Sequence, residues 1–190
     1  EDITHIISNI PYGISSPILE RIQSYIRRNQ VKSVVLLVQD EFSERMAMNS
    51  GPRSIGPLGL SLWLDFVVHL GSKVPPGAFS PPPRVNSRLV MLQLREDEPQ
   101  VTDRKMFKII THHCFSNRRR KMRTLLSRPP KRISRVKGWH KSRWARLVIQ
   151  FNKTTLEGLR ADWLEMRPDD MLIDEWLSLC NYISHFESEN

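Results

Sequence analysis

The chain has 190 residues, 39% hydrophobic and 26% charged, which suits one or two globular domains with a real core. Its formal net charge of +9 and pI near 10.0 make a polyanionic partner the expectation. Two cysteines set far apart exclude a disulfide framework or paired zinc-ligand spacing and favour a reducing, cytoplasmic setting, and no apolar run approaches membrane-spanning length.

In chain order, "DITHIIS" reads as a buried strand that stops abruptly at Asn9-Ile10-Pro11-Tyr12, because proline cannot donate to a ladder and Asn is a poor strand former. "SPILERIQSYIRRN" reads as an amphipathic helix capped by Ser16, with Pro17 in its first turn and Ile18, Ile22 and Ile26 on one face. The β-branched run "VKSVVLLVQ" predicts an interior strand, and "DEFSERMAM" a helix in which Glu41 and Arg45, four apart, can pair. "NSGPRSIGPLG" is a Gly/Pro loop, and "LSLWLDFVVHLGSKV" a helix passing into a strand. The Pro-rich loop "PPGAFSPPPRV" precedes a last strand, "SRLVMLQLR". Two strand-helix units followed by two strands describe the later half of an open α/β sheet.

The composition changes at "REDEPQVTD", which places a domain boundary near Asp97, with a partial sheet domain over 1–97 and a helical, basic domain over 98–190. Residues 1–98 carry ten Lys/Arg and ten Asp/Glu. Arg104 to Arg146 carries sixteen Lys/Arg and no acid, and Leu147 to Asn190 three against nine acids. The second domain reads as helix-rich sequence through Ser127, a Pro/basic linker through Arg143, and two terminal helices, "TTLEGLRADWLEM" and "PDDMLIDEWLSLCNYISHF". In the last, Pro168, Asp169 and Asp170 suit the first turn, and Leu172, Trp176, Leu179 and Ile183 line one face.

Ligands of open α/β sheets bind beyond the carboxyl ends of the strands, where the Asn9-Tyr12 tip lies. The exocyclic amine of a base is a poor nucleophile because its lone pair is delocalised into the ring. Two acceptors on its hydrogens favour a tetrahedral nitrogen and expose that lone pair. The Asn9 amide oxygen and the Pro11 carbonyl are suitable acceptors, and Tyr12 can stack on a base that is flipped or unpaired. Phe79, on a loop stiffened by Pro81, Pro82 and Pro83, can close the base's other side.

Arg118, Arg119, Arg120, Lys121 and Arg123 form a cationic run that, on a helix, points nearly all round the axis. With no acid in the surrounding segment, phosphate contacts are the expectation, and Arg84 is a further RNA-contact candidate near the pocket. Trp139 and Trp144 are expected to pack the small domain rather than to stack on bases. His112, His113 and Cys114 are adjacent, splay apart on a helix and lack a second ligand pair, so no metal site is expected.

The segments "SNIPYGISSPIL", "VVLLVQDEFSERM", "VPPGAFSPPPRVNSRLVML" and "CFSNRRRKMRTLL", in that order and with the terminal "MRPDDMLIDEWLSLCNYI", resemble the small-subunit ribosomal RNA adenine N6-dimethyltransferase family over nearly the whole chain. The resemblance implies a class I (Rossmann-like) methyltransferase sheet with a smaller helical domain, S-adenosylmethionine as cofactor, and two adjacent adenines near the 3′ end of small-subunit rRNA as substrate. It implies that Asn9 accepts from the target amine and lies against the methyl donor, that the Pro11 carbonyl takes the other amine hydrogen, and that Tyr12 and Phe79 hold the adenine. A monomer acting on the pre-ribosomal small subunit follows from it. The sequence departs from the family in two places. No Gly-rich cofactor loop or following acidic residues precede the first strand, so the chain reads as a fragment that binds cofactor poorly. The family's Tyr-Gly-x-Leu-Ser is here Pro57-Leu58-Gly59-Leu60-Ser61. A large-subunit adenine methyltransferase of the macrolide-resistance type and a non-catalytic RNA-binding assembly or transcription factor remain as alternatives.

Overall fold

A computed structural model describes residues 4–29, 31–49 and 54–186. It divides into two units, a sheet unit (Glu1–Ser54 and Leu58–Glu98) and a helical unit (Ile55–Pro57 and Pro99–Asn190).

The sheet unit is built on β1 (His5–Asn9), β2 (Ser33–Gln39), β3 (Phe66–Val74) and β4 (Ser87–Leu94), in the order β1-β2-β4-β3. β1 runs parallel to β2, as a helical crossover demands, and β4 is antiparallel to both neighbours. Three helices intervene: α1 (Ser15–Ile26), α2 (Asp40–Ala47) and α3 (Pro57–Trp63). Alternation along the strands puts Val34, Leu36, Val38, Val90 and Leu92 into one cluster with Leu19, Ile22, Ile26, Phe42, Met46 and Leu62 of the helices. Each such side chain contributes about 2 kcal/mol by leaving water. The alternate residues face away from this cluster, and Ile7 of β1, the first strand in this sheet order, is 81% exposed in the 190-residue chain.

α1 begins two residues earlier than a Ser16 cap implies, so Ser15 and Ser16 are helical, and its N-cap residue Ile14 makes no side-chain cap. Gln23, on the buried face of α1, donates to the Ser61 carbonyl and to Asp65 Oδ2, both at 2.8 Å, which satisfies a polar group that the core encloses. Residues 50–53 of the expected Gly/Pro loop lie outside the described residues, and Pro57-Leu58-Gly59 belongs to α3 rather than to a loop. The expected Glu41–Arg45 pair does not form; the Arg45 guanidinium lies 5.3 Å from the centre of the Phe42 ring.

The helical unit contains α4 (Arg104–Phe115), α5 (Met122–Leu126), α6 (Lys141–Phe151) and α7 (Ile173–His185). Asp103 caps α4 by accepting from the backbone of Lys105 and Met106 at 2.8 and 3.0 Å. Three expectations fail in this unit. The basic linker ends in a helix, because Trp144, Leu147 and Phe151 give Lys141–Phe151 a buried face that its cations obscure. "TTLEGLRADWLEM" forms turns and a single 3-10 turn, Trp163–Glu165, rather than an α-helix. Pro168–Asp170 is a separate 3-10 turn; α7 starts at Ile173 with Asp174 and Glu175 in its first turn, and Leu172 is exposed while Trp176, Leu179 and Ile183 are buried.

Aromatics dominate this core: Trp139 meets Trp144 edge-on at 5.9 Å, Phe151 meets Trp163 at 5.3 Å, and Phe115 lies 5.3 Å from Trp176. Trp139 and Trp144 therefore pack, as their sequence setting suggests, and the indole of Trp144 donates to the Leu126 carbonyl at 2.8 Å.

Candidate active site

Strand direction gathers the predicted site residues of the sheet unit. β1 and β2 end at the same side of the sheet, Gln39 at the end of β2 faces Ser87 at the start of β4, and Ser87 faces Val74 at the end of β3. The Asn9-Tyr12 tip and the 75–86 loop that carries Phe79 and Arg84 thus leave the sheet from one end.

Asn9 is exposed, and its carboxamide has no hydrogen-bond partner among the described residues. Pro11 ends the ladder and opens a 3-10 turn, Tyr12–Ile14, whose backbone is held from inside. The Pro11 carbonyl accepts from Ile14 N–H at 3.2 Å and from the hydroxyl of buried Ser15 at 3.2 Å. The same hydroxyl stands 3.2 Å from the Tyr12 carbonyl, so its one proton has two acceptors to choose between. Tyr12 is half-buried, and its phenol lies 2.6 Å from the hydroxyl of Ser87, which is fully buried. Phe79 is half-buried in extended backbone after a short 3-10 turn, Pro76–Ala78, and makes no ring contact with Tyr12.

Between the start of α2 and the 75–86 loop lies a cleft of about 380 Å³ lined by Gln39, Asp40, Glu41, Pro76, Arg84, Val85 and Asn86. Asp40 is held in an ion-pair network with Arg88 at 2.8 Å and Lys73 at 2.8 Å, and Arg88 also reaches Glu44 at 2.7 Å. Arg84 is exposed and has no partner among the described residues. Neither Ser15 nor Ser87 stands out in the sequence. The only signal for Ser15 is its place three residues after the Pro-Tyr pair. Ser87 carries none, being 75 residues from its partner.

The cationic run is not one helix; of its five members only Arg123 is helical, in α5. Arg118, Arg119 and Arg120 occupy the turn between α4 and α5. Nor are its charges all without partners, as the local sequence suggests, because the acidic C-terminal region folds back on them. Arg118 Nε donates to Asp169 at 3.1 and 3.0 Å, and Lys121 and Arg123 pair with Glu165 at 2.8 and 2.7 Å. The hydrogen bond from Lys121, reinforced by the charge of Arg123, holds the Glu165 carboxyl below its usual range. Only Arg119 and Arg120 of the five extend exposed side chains with no partner among the described residues.

His113 Nε2 is bound to the Leu125 carbonyl at 2.8 Å while Cys114 is buried, so the two point into different surroundings. Among the described residues no group of three His, Cys, Asp or Glu could hold a metal ion.

A helix-backed sheet with an amide, a carbonyl and a phenol at its carboxyl end defines the class: the α/β fold of methyltransferases. Residues 2–137 match the family model described as ribosomal RNA adenine dimethylase, and the chain belongs to that family. It is 30% identical over 191 residues to a ribosomal RNA small subunit methyltransferase A of Synechocystis sp., covering 97% of this chain and 60% of the relative. A probable ribosomal RNA small subunit methyltransferase A of Natronomonas pharaonis is 37% identical over 122 residues, covering 64% of this chain and 43% of the relative. Among solved structures, a dimethyladenosine transferase from Plasmodium falciparum superposes with a TM-score of 0.71 at 25% identity, over 94% of this chain and 66% of that one. The 23S rRNA methyltransferase ErmE, at a TM-score of 0.56 and 19% identity over 93% of this chain and 63% of that one, shares the fold. The chain thus spans about 60% of the length of the Synechocystis relative it matches.

Proposed function

We propose that the protein to which this chain belongs uses S-adenosylmethionine to dimethylate the N6 amines of two adjacent adenines in a 3′-terminal hairpin loop of small-subunit rRNA. It acts as a cytoplasmic monomer on the pre-ribosomal small subunit during ribosome biogenesis. The observation that carries this reading is the tip of β1: an unpartnered Asn9 carboxamide, set one turn from a tethered Tyr12, at the sheet end where such folds place their ligands.

Asn9 Oδ1 accepts one hydrogen of the target amine. The Pro11 carbonyl accepts the other once Ser15 turns its proton toward the Tyr12 carbonyl, an exchange that costs no hydrogen bond because both acceptors lie at 3.2 Å. Two acceptors draw the nitrogen toward a tetrahedral shape and free its lone pair, so positioning does most of the work. Methyl transfer leaves the nitrogen cationic and it gives one proton to water; a single amine hydrogen then remains, and one acceptor suffices for the second round. Tyr12 and Phe79 hold the extruded adenine between them. The cofactor supplies a methyl group on a good leaving group, and the free side of Asn9 fits a place beside it. The 190 residues contain no Gly-rich strand-turn-helix, so by themselves they are expected to bind cofactor poorly and to be inactive. Arg119, Arg120 and Arg84 meet RNA phosphates, and Arg118, Lys121 and Arg123 do so with charge already shared with acids.

In the full-length protein, Asn9→Ala and Tyr12→Ala each reduce methyl incorporation into a hairpin RNA by at least about 100-fold, and RNA affinity stays within about threefold. Methylation near the wild-type rate in either variant refutes the site assignment.

A further inference from the structure

Tyr12 stands in a three-residue 3-10 turn that has no side-chain cap, and its ring touches no other aromatic among the described residues. No hydrogen bond from within the turn reaches the ring to fix the χ1 torsion that sets its direction. The phenol is fixed from elsewhere. Ser87 opens β4 with Gln39 of β2 opposite on one side and Val74 of β3 on the other, so its backbone is clamped in the middle of the sheet. Its hydroxyl is fully buried and has one partner among the described residues, the Tyr12 phenol at 2.6 Å. A buried hydroxyl without a partner is costly, and this one is satisfied only while the phenol end of the ring stays in place.

We infer that Ser87 is a positioning residue: its hydroxyl fixes the direction of the Tyr12 ring axis, and through it the position at which a target adenine presents its amine to Asn9. The inference rests on the proposed function for what the ring holds, and on geometry alone for the tether. A base stacked on a ring that swings stays bound but meets the methyl donor off line, so the loss falls on the chemical step rather than on RNA binding.

The test is a double-mutant cycle in the full-length protein with Ser87→Ala, Tyr12→Phe and both together, assayed on hairpin RNA. Each single change is expected to lower kcat about tenfold and to alter KM for RNA less than about twofold, and the double variant is expected to be no worse than either single one, because each removes the same bond. Multiplying losses, an unchanged kcat in either single variant, or a loss confined to KM overturns the inference. Tyr12→Phe deletes one oxygen and leaves every atom of Ser87 in place, so it decides the matter if Ser87→Ala fails to fold. NMR of selectively labelled Tyr12 separates this inference from the functional reading. Ring signals dispersed by the folded surroundings in wild type that move toward those of an exposed, mobile tyrosine in Ser87→Ala support the tether even if no RNA is methylated, and identical signals in the two overturn it.

Discussion

Single atoms decide how closely the pieces of the sheet unit approach. Gly59, within α3, has no side chain because the carbonyl of Arg45 in α2 would lie 2.9 Å from its Cβ and the Met48 side chain closer still. Met48 itself ends α2 in the left-handed conformation, with φ of 54°. A glycine inside a helix ordinarily costs about 1 kcal/mol relative to alanine. Here the close approach reverses the sign, and Gly59→Ala is expected to destabilise the sheet unit by about 1–2 kcal/mol, read as a lower urea midpoint. The same scale explains the tip of β1, where Pro11 ends a ladder, Ser15 holds the turn from below, and Asn9 is left with its amide unspent. Asn9, Pro11, Tyr12 and Phe79 can be singled out from residue chemistry and spacing. Ser87 cannot, because a serine opening an apolar strand looks like any other strand start.

Elements redistribute charge. The turn between α4 and α5 and the first turn of α5 bring five cations together, and the 3-10 turns Trp163–Glu165 and Pro168–Asp170 bring back two acids that pair with three of them. The partners are 51 residues apart for Arg118 and Asp169 and 44 apart for Lys121 and Glu165, which is why the local absence of acid misleads. Exposed pairs of this kind add little stability, but they reduce the charge available to RNA. Charge reversal at Arg119 and Arg120 is therefore expected to lower RNA affinity and to reduce the slope of log affinity against log salt by about 1–2, with a smaller change in slope for Lys121→Ala and Arg123→Ala. Binding titrations over a salt series measure it, and an unchanged slope in the double reversal removes these two residues from the interface. Within the helical unit, burial pushes the thiols of Cys114 on α4 and Cys180 on α7 well up, so both behave as core side chains.

Over the whole molecule, the helical unit hangs on one nearly buried acid. Glu175 is 4% exposed and accepts from Arg160 Nε at 2.7 Å, from Arg160 Nη2 at 2.6 Å and from the Leu172 backbone at 2.8 Å. The Arg160 hydrogen bond outweighs desolvation and holds the carboxyl below its ordinary value of 4.5. A lowered carboxyl binds its proton less readily in the folded than in the unfolded state. Its contribution is fully present above the unfolded value and is lost as pH falls through the folded one. The urea midpoint of the helical unit is expected to be flat from neutral pH down to about 5 and to drop below about 4.5, with Glu165 acting in the same sense. Glu175→Gln is expected to cost about 2 kcal/mol at neutral pH and to flatten the acid limb, which denaturation at a series of pH values will show. By itself the sequence determined the strand-helix order of the first hundred residues, the proline-stopped tip and the basic block, because periodicity, β-branching and proline act over a few residues. It also carried the motifs that mark the family. Only the tertiary structure decided that β4 enters between β2 and β3, that α6 hides under a run of cations, which cations keep a free charge, and that Ser87 holds Tyr12. Each of these depends on groups tens of residues apart, and no local pattern records which distant surface will come to cover, pair with or hydrogen-bond a given side chain.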